Sequence, residues 1–289
     1  MKKKSLKLGL PYKGSKRKLS AKIVDKILEE NPNVEYVYDL FGGGGSISLE
    51  FASRDNIKKV FYNEINIAIT SLLKEVLEKG VTKEYYQWIS REKFFKHKDD
   101  KDWFGGFVSV IFSFSNDLKS YIYGKKIEKE RELIHRAMVN CDKEAIKQLN
   151  LKVNCSEPSI QKRRLQLNSQ LTKEKRLRHL ESLQQLEKLY LYPFKDKLEF
   201  LSKSYNEVDI NTPVDKTIIY LDPPYKNTNK YPDIIDYDEL YNWIRKSKYK
   251  IYISEYNMPK DFKIVEQYSH RAINGLSVNN EVTEKLYSY

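Results

Sequence analysis

Residues 218–227 run Ile-Ile-Tyr-Leu-Asp-Pro-Pro-Tyr-Lys-Asn. Ile218 to Leu221 have the apolar character of a short buried strand. Pro223 and Pro224 must end its ladder, since each has a fixed φ and no N–H to donate. Asp222, which precedes a proline, is biased to extended geometry. The chain therefore presents a stiff array of carboxylate, carbonyl and phenol ring just past a strand's C-terminal end, where open α/β sheets bind ligands. A flat molecule with an amino group suits that array. The exocyclic nitrogen of adenine is a poor nucleophile because its lone pair is delocalised into the ring. Asp222 and the Pro223 carbonyl can accept its two N–H bonds, draw it toward tetrahedral geometry and free the lone pair. Tyr225 can stack on the base, worth about 1–3 kcal/mol, against the few kcal/mol needed to unstack it from a duplex. The plain alternative is an ordinary turn, because Asp and Pro-Pro are common turn residues.

Two further stretches carry chemistry. In Asp-Leu-Phe-Gly-Gly-Gly-Gly-Ser (39–46) the glycines let the backbone turn sharply and approach a ligand between a strand and a helix. The run lacks the third glycine of a nicotinamide fingerprint, and a tight turn is the competing reading. Glu64, in Tyr-Asn-Glu-Ile-Asn, closes the next apolar stretch. An acid there can take both hydroxyls of a ribose, or it can be a solvent-facing residue at a helix start.

The elements that must hold these residues follow from periodicity. Residues 19–28 have one apolar helical face, with Ser20 as the expected cap. Strands are expected at 34–41, 58–66, 197–202, 217–222 and 249–256, and a hairpin at the C-terminal end from 262–273 and 283–289. Helices are expected after the glycine run and at 67–80, the latter stopped by Gly80. From about 81 to 171 the pattern loosens into mixed aromatic, basic and polar residues. Leu177, Leu180, Leu183, Leu186 and Leu189 then mark one side of a further helix. The expected fold is α/β: a mostly parallel sheet with helices on both faces and a terminal antiparallel hairpin, carrying an inserted, largely helical module. Residues 1–80 and 195–289 form the discontinuous domain in this scheme, and 81–194 the insert.

The bulk composition narrows the partners. The 289 residues are 40% hydrophobic and 32% charged, with net charge +12 and pI near 9.3. A basic balance of this size favours an anionic partner, with nucleic acid ahead of a membrane surface. No apolar run approaches a membrane span, and the basic start lacks the apolar stretch of a signal peptide, so a cytoplasmic protein is expected. Cys141 and Cys155 are too few for a disulfide framework and lack metal-ligand spacing, and no metal site is expected. No Pro-Cys pair offers the nucleophile of cytosine C5 methylases.

Taken together, these motifs resemble the Dam-type adenine-specific DNA methyltransferases, which use S-adenosylmethionine. Pro-Tyr-Lys-Gly-Ser-Lys (11–16) resembles the family's first motif and puts Tyr12 and Lys16 at cofactor-contacting positions. Asp39 to Ser46 resembles Glu-Pro-Phe-x-Gly-x-Gly-Ser, carrying over Asp39, Phe41, Gly43 and Gly45; Leu40 stands where proline is usual. Asn-Glu-Ile-Asn resembles Asp-Ile-Asn, giving Glu64 the ribose-binding place. Asp222, Pro223, Pro224 and Tyr225 match the catalytic motif, Asp222 also facing the cofactor, and Lys-Asn-Thr-Asn-Lys-Tyr the loop after it. Ile-Tyr-Ile-Ser-Glu-Tyr-Asn (251–257) and Thr-Glu-Lys-Leu-Tyr (283–287) resemble later strand signatures. The resemblance implies a Rossmann-like, S-adenosylmethionine-binding catalytic domain and a target-recognition insert. It also implies direct methyl transfer, with no covalent intermediate, to the N6 of a flipped adenine in double-stranded DNA.

In the insert, 161–179 holds seven Lys/Arg against one acid, Glu174. Lys162, Arg163, Arg164, Lys173, Lys175, Arg176 and Arg178 can meet phosphates or form a solvated helix face. Tyr121, Lys125 and Lys126 are a second candidate set. Other amino or amide nitrogens stay open as targets: RNA adenine, cytosine N4 or protein glutamine. In such enzymes Ser or Asn more often replaces this Asp. A catalytically silent DNA-binding relative is also open, as are a cognate restriction endonuclease and the oligomeric state. A nicotinamide oxidoreductase would have no use for Asp-Pro-Pro-Tyr.

Overall fold

The computed structural model describes residues 8–225, 235–274 and 277–289, those at 270–274 and 277–282 by their backbone alone. In chain order the elements begin α1 (Ser20–Glu30), β1 (Tyr36–Asp39), α2 (Ser46–Ala52) and β2 (Lys59–Asn63). Seven helices follow: α3 (Ile67–Lys79), α4 (Arg91–His97), α5 (Trp103–Ile111), α6 (Glu128–Val139), α7 (Lys143–Leu149), α8 (Ile160–Leu167) and α9 (Arg178–Tyr190). The chain then returns to β3 (Leu198–Leu201), β4 (Thr217–Leu221), α10 (Tyr237–Lys246), β5 (Lys250–Glu255), β6 (Lys263–Asn274) and β7 (Ser277–Ser288). The residues divide into two compact units. Lys16–Asn66 with Phe194–Tyr289 form the first, and Gly9–Ser15 with Ile67–Pro193 the second. This division falls before α3, whereas the motif order places the boundary after it.

The first unit is built on one seven-stranded sheet in the order β3-β2-β1-β4-β5-β7-β6. It is parallel from β3 through β5, and β7 joins antiparallel to both β5 and β6. β1 and β4 pair side by side, Asp39 opposite Tyr220, so the glycine run and the Asp-Pro-Pro-Tyr segment leave neighbouring strands in the same direction. Alternation sorts the faces. Tyr38, Leu40, Ile219, Leu221, Ile251 and Ile253 pack with Leu240, Tyr241 and Ile244 of α10. The intervening Tyr252 points the other way, where its hydroxyl bonds Asn31 and Glu30 at the end of α1. Helices thus cover both faces, as expected for a sheet whose central strands are buried along nearly their whole length.

Ser20 does not cap α1. The cap position falls on Leu19, without a side-chain bond, and the Ser20 hydroxyl instead donates to the buried Glu50 at 3.1 Å. Glu50 also holds Arg54 at 2.9 Å, so an internal polar partner outcompetes the local cap.

The second unit is helical. Leu177, Leu180, Leu183, Leu186 and Leu189 are all buried, as their spacing along α9 predicts. The apolar stretch 107–112 lies mostly in α5 despite its β-branched valines. A Cβ on Gly106 would stand 2.2 Å from the Ala68 carbonyl, so the close approach of α5 to α3 overrides the local preference. Cys141 and Cys155, too few for a framework, are joined to each other.

Candidate active site

Asp222 leaves β4 at the C-terminal end of the parallel strands, and its side chain is 17% exposed. Lys16, just before α1, places its ammonium 2.8 Å from Asp222 Oδ1 and 3.4 Å from Glu284 Oε1 on β7. The same ammonium donates to the Tyr225 hydroxyl at 2.6 Å. The Lys16 carbonyl accepts from the N–H groups of Leu19 and Ser20, which ties its backbone to the start of α1. The Pro224 carbonyl accepts a bond from Tyr237, the first residue of α10. Tyr225 meets Tyr256 edge-on at 4.5 Å. Four elements therefore hold a segment whose prolines already make it stiff.

The electrostatics follow from burial and pairing. Burial pushes the Asp222 carboxyl up; Lys16 opposes that shift and Glu284 adds to it. Burial works to lower the Lys16 ammonium, but the two carboxylates outweigh it and hold the group charged. Tyr225 is pushed up by burial and by the charges of Asp222 and Glu284, so its phenol stays neutral.

Next to this cluster stands the glycine turn. Gly45 precedes α2 with φ of 77°, a left-handed conformation that a side chain would strain. A Cβ on Gly42 would fall 2.3 Å from the Tyr62 ring, whose hydroxyl donates to the Gly43 carbonyl at 2.7 Å. Glu64 accepts from the N–H of Gly43 at 2.9 Å and of Asn66 at 3.0 Å, joining the turn after β1 to the end of β2. Asn63 bonds the carbonyls of Leu40 and Lys203. The Phe41 ring packs on Tyr205.

Asp39 is 1% exposed; Ser48 donates to its Oδ2 at 2.6 Å, while Oδ1 is buried without a partner. Burial raises the Asp39 carboxyl to about 7; the Ser48 bond opposes this, and the charges of Asp222 and Glu64 add to it. Three acids, Asp39, Glu64 and Asp222, thus stand at the ends of β1, β2 and β4, one with an unused buried oxygen. This donor set fits a ligand carrying a sulfonium and an ammonium, and so fits S-adenosylmethionine.

The structure gathers Lys16, Asp39, Phe41, Gly43, Gly45, Glu64 and Asp222–Tyr225 in the first unit. Tyr12 belongs to the Gly9–Ser15 stretch grouped with the second. The Lys-Asn-Thr-Asn-Lys-Tyr loop lies outside the described residues. Sequence reasoning missed Glu284. The signal for it was register: Glu284 shares a face with the fully buried Leu286, and an acid at a core-facing strand position needs a partner.

In the second unit, a groove of about 840 Å³ brings the two basic stretches together. Lys125, Arg176 and Arg178 line it with Arg91 and Lys119, and Glu174 is the acid on the same wall. Phe95 and Phe114 at its edge are 50% and 52% exposed. Lys126 and Lys173 are also exposed, Lys175 pairs with Glu130, and Lys162 stands 3.8 Å from Glu157. Arg163 and Arg164 are buried instead. Arg163 donates to the carbonyls of Met138 and Val139, and Arg164 to Gln161 and Gln184. The Tyr121 hydroxyl is turned inward to Ile89. Among the described residues, no helix is long and apolar enough to cross a membrane.

A mostly parallel sheet with an antiparallel last strand, and acids at the ends of its parallel strands, defines an α/β enzyme of the Rossmann-like methyltransferase class. Residues 12–288 match the family model of the D12 class N6 adenine-specific DNA methyltransferases, and the chain belongs to that family of adenine-specific DNA methyltransferases. No curated protein matches the chain.

Proposed function

We propose that the protein uses S-adenosylmethionine to methylate the N6 of an adenine turned out of double-stranded DNA, by direct transfer. Asp222, Pro223, Pro224 and Tyr225 stand at the reacting atoms, and Tyr12, Lys16, Asp39, Phe41, Gly43, Gly45 and Glu64 around the cofactor. The observation that carries this reading is the half-buried Asp222 carboxylate, fixed through one oxygen by Lys16 and followed by a carbonyl on a rigid proline pair.

S-adenosylmethionine supplies the electrophilic methyl group. Asp222 and the Pro223 carbonyl accept the two N6 hydrogens and release the nitrogen lone pair from the ring. The Tyr225 ring stacks on the base and offsets part of the cost of extruding it. As the new N–C bond forms, the nitrogen gains positive charge, which Asp222 faces directly. One N6 proton then leaves through Asp222, whose raised affinity for protons suits it to receive one at neutral pH. No side chain in this scheme forms a covalent bond.

For target recognition, the reading assigns the second unit's groove to the DNA backbone. Six cations and one acid line it, and cations that replace condensed counterions make binding salt-dependent. Replacing Lys125, Arg176 and Arg178 together with Ala should flatten the slope of log K against log salt by about 3; an unchanged slope removes the groove from the interface. The function itself is tested with methyl-labelled S-adenosylmethionine, offering unmethylated DNA, RNA and no polymer, then digesting the products for mass spectrometry. Label in N6-methyladenine from DNA alone is expected. Label in RNA, or in cytosine, overturns the substrate assignment.

A further inference from the structure

The Lys16 ammonium is shared by two carboxylates, and a reaction that only needs Asp222 as an acceptor has no use for the second. Glu284 is 4% exposed, on a central strand paired with β5 and β6. Its Oε1 lies 3.4 Å from Lys16 Nζ, close enough for an ion pair, and is otherwise buried without a partner. Burying a carboxylate so incompletely bonded costs several kcal/mol, and an apolar side chain like the neighbouring Leu286 would avoid that cost.

We propose that Glu284 is a positioning residue for methyl transfer: by engaging Lys16 together with Asp222, it keeps the Lys16–Asp222–Glu284 cluster at net charge −1. The proposal rests on the reading of Asp222 as the acceptor of the adenine amino group. Without Glu284, Lys16 and Asp222 cancel, and the centre offers little to a nitrogen that becomes cationic as its bond to carbon forms. With Glu284, one negative charge remains, and Lys16 still fixes Asp222 and the Tyr225 hydroxyl. The electron pair of the breaking S–C bond stays on sulfur, and the proton released from N6 passes to Asp222 and then to solvent, so the cluster returns to its starting charge once that proton has left. The cluster's role is to match the charge developed in between.

Among the described residues, these titratable groups stand around Asp222. Lys16 precedes α1, Asp39 ends β1, Tyr220 is on β4, Tyr225 follows it, Tyr237 opens α10, Tyr256 follows β5 and Glu284 is on β7. All the phenols among them are held neutral by burial, and Asp39 has its own partner in Ser48. Among the described residues, Glu284 is the carboxylate that both pairs with Lys16 and raises Asp222. Removing it lets Asp222 ionise at lower pH.

The test is single-turnover methyl transfer to an adenine-containing duplex as a function of pH, on the full chain, with wild type, Glu284→Gln, Glu284→Asp and Asp222→Asn. Glu284→Gln should lower the plateau rate about tenfold and move the acid limb down by about one pH unit, with affinities for S-adenosylmethionine and DNA unchanged. Glu284→Asp keeps the charge and should keep the wild-type acid limb. A wild-type limb in Glu284→Gln overturns the proposal, and so does a limb that moves equally in both variants, which would report packing rather than charge. Residual turnover near wild type in Asp222→Asn would instead sink the reading of Asp222 beneath it. Should Glu284→Gln not fold, the acid limb of Glu284→Asp decides alone: at the wild-type position it supports the proposal, and displaced it overturns it.

Discussion

Lys16, Asp222 and Glu284 in the first unit, and Tyr123, His135 and His179 in the second, are both buried clusters of ionisable groups, and they solve burial in opposite ways. The first keeps its charges and pairs them. The second gives them up. His179 is fully buried between Tyr123, 2.7 Å from its Nδ1, and His135, 3.0 Å from its Nε2. Phe112 stacks on His179 at 4.7 Å, and Trp88 packs on all three rings. In a self-consistent arrangement the phenol donates to one imidazole and that imidazole to the next, all neutral. The second cluster organises a core, whereas the first holds an unbalanced charge at strand ends, where it can act on something that binds there. An unneutralised charge is tolerated in a protein interior where function requires it.

The sharpest way to break this contrast is at Asp222. Asp222→Ala should slow methyl transfer by about a thousandfold or more while leaving DNA binding and the melting profile of the chain near wild type. Substantial residual turnover would mean that the charged cluster is as structural as the histidine one.

Acid offers a second, smaller test, because the two clusters respond with opposite sign. His135 is lowered to about 4 by burial, and His179 is lowered too, by burial and by His135 beside it. Their stability contribution is present above the unfolded value near 6.5 and is lost as pH falls toward 4, roughly 3 kcal/mol for His135 alone. Asp39 and Asp222 are raised, so their burial is most costly at neutral pH and is relieved as they take up protons. Between pH 6.5 and 4.5, amide exchange should therefore accelerate in α6 and α9 before it does in β1 and β4. The reverse order would refute the assignment of charge states.

The mildest perturbation is Cys141→Ser with Cys155→Ser. The bridge closes a short loop, 14 residues in separation, so its loss should cost the second unit about 3 kcal/mol. Methyl transfer should continue at the wild-type rate. Complete inactivation would reveal thiol chemistry in the site.

Much of this was legible from local pattern. Strands ending in acids, glycines before α2 and the leucine side of α9 all rest on contacts within a few residues, or on a buried face with a fixed period. What escaped was decided at long range. Glu284 is separated from Lys16 by almost the whole chain, and only the placement of β7 between β5 and β6 makes them neighbours. Arg163 and Arg164 belong to a basic run, but the end of α6 offers carbonyls to the first, and glutamines on α8 and α9 take up the second. Composition cannot tell a guanidinium that caps an internal helix from one that faces phosphate. The pairing of the two cysteines was hidden for the same reason, since spacing alone does not bring thiols together.

The strand order has a consequence in time. β4 needs β1, and β7 must enter between β5 and β6 before Glu284 can reach Lys16. At roughly 5–20 residues per second of synthesis, Lys16 exists for tens of seconds on a growing chain before its second carboxylate is made. A nascent copy can shape its glycine turn, but its charged centre is assembled only once the last strand of the sheet has been made.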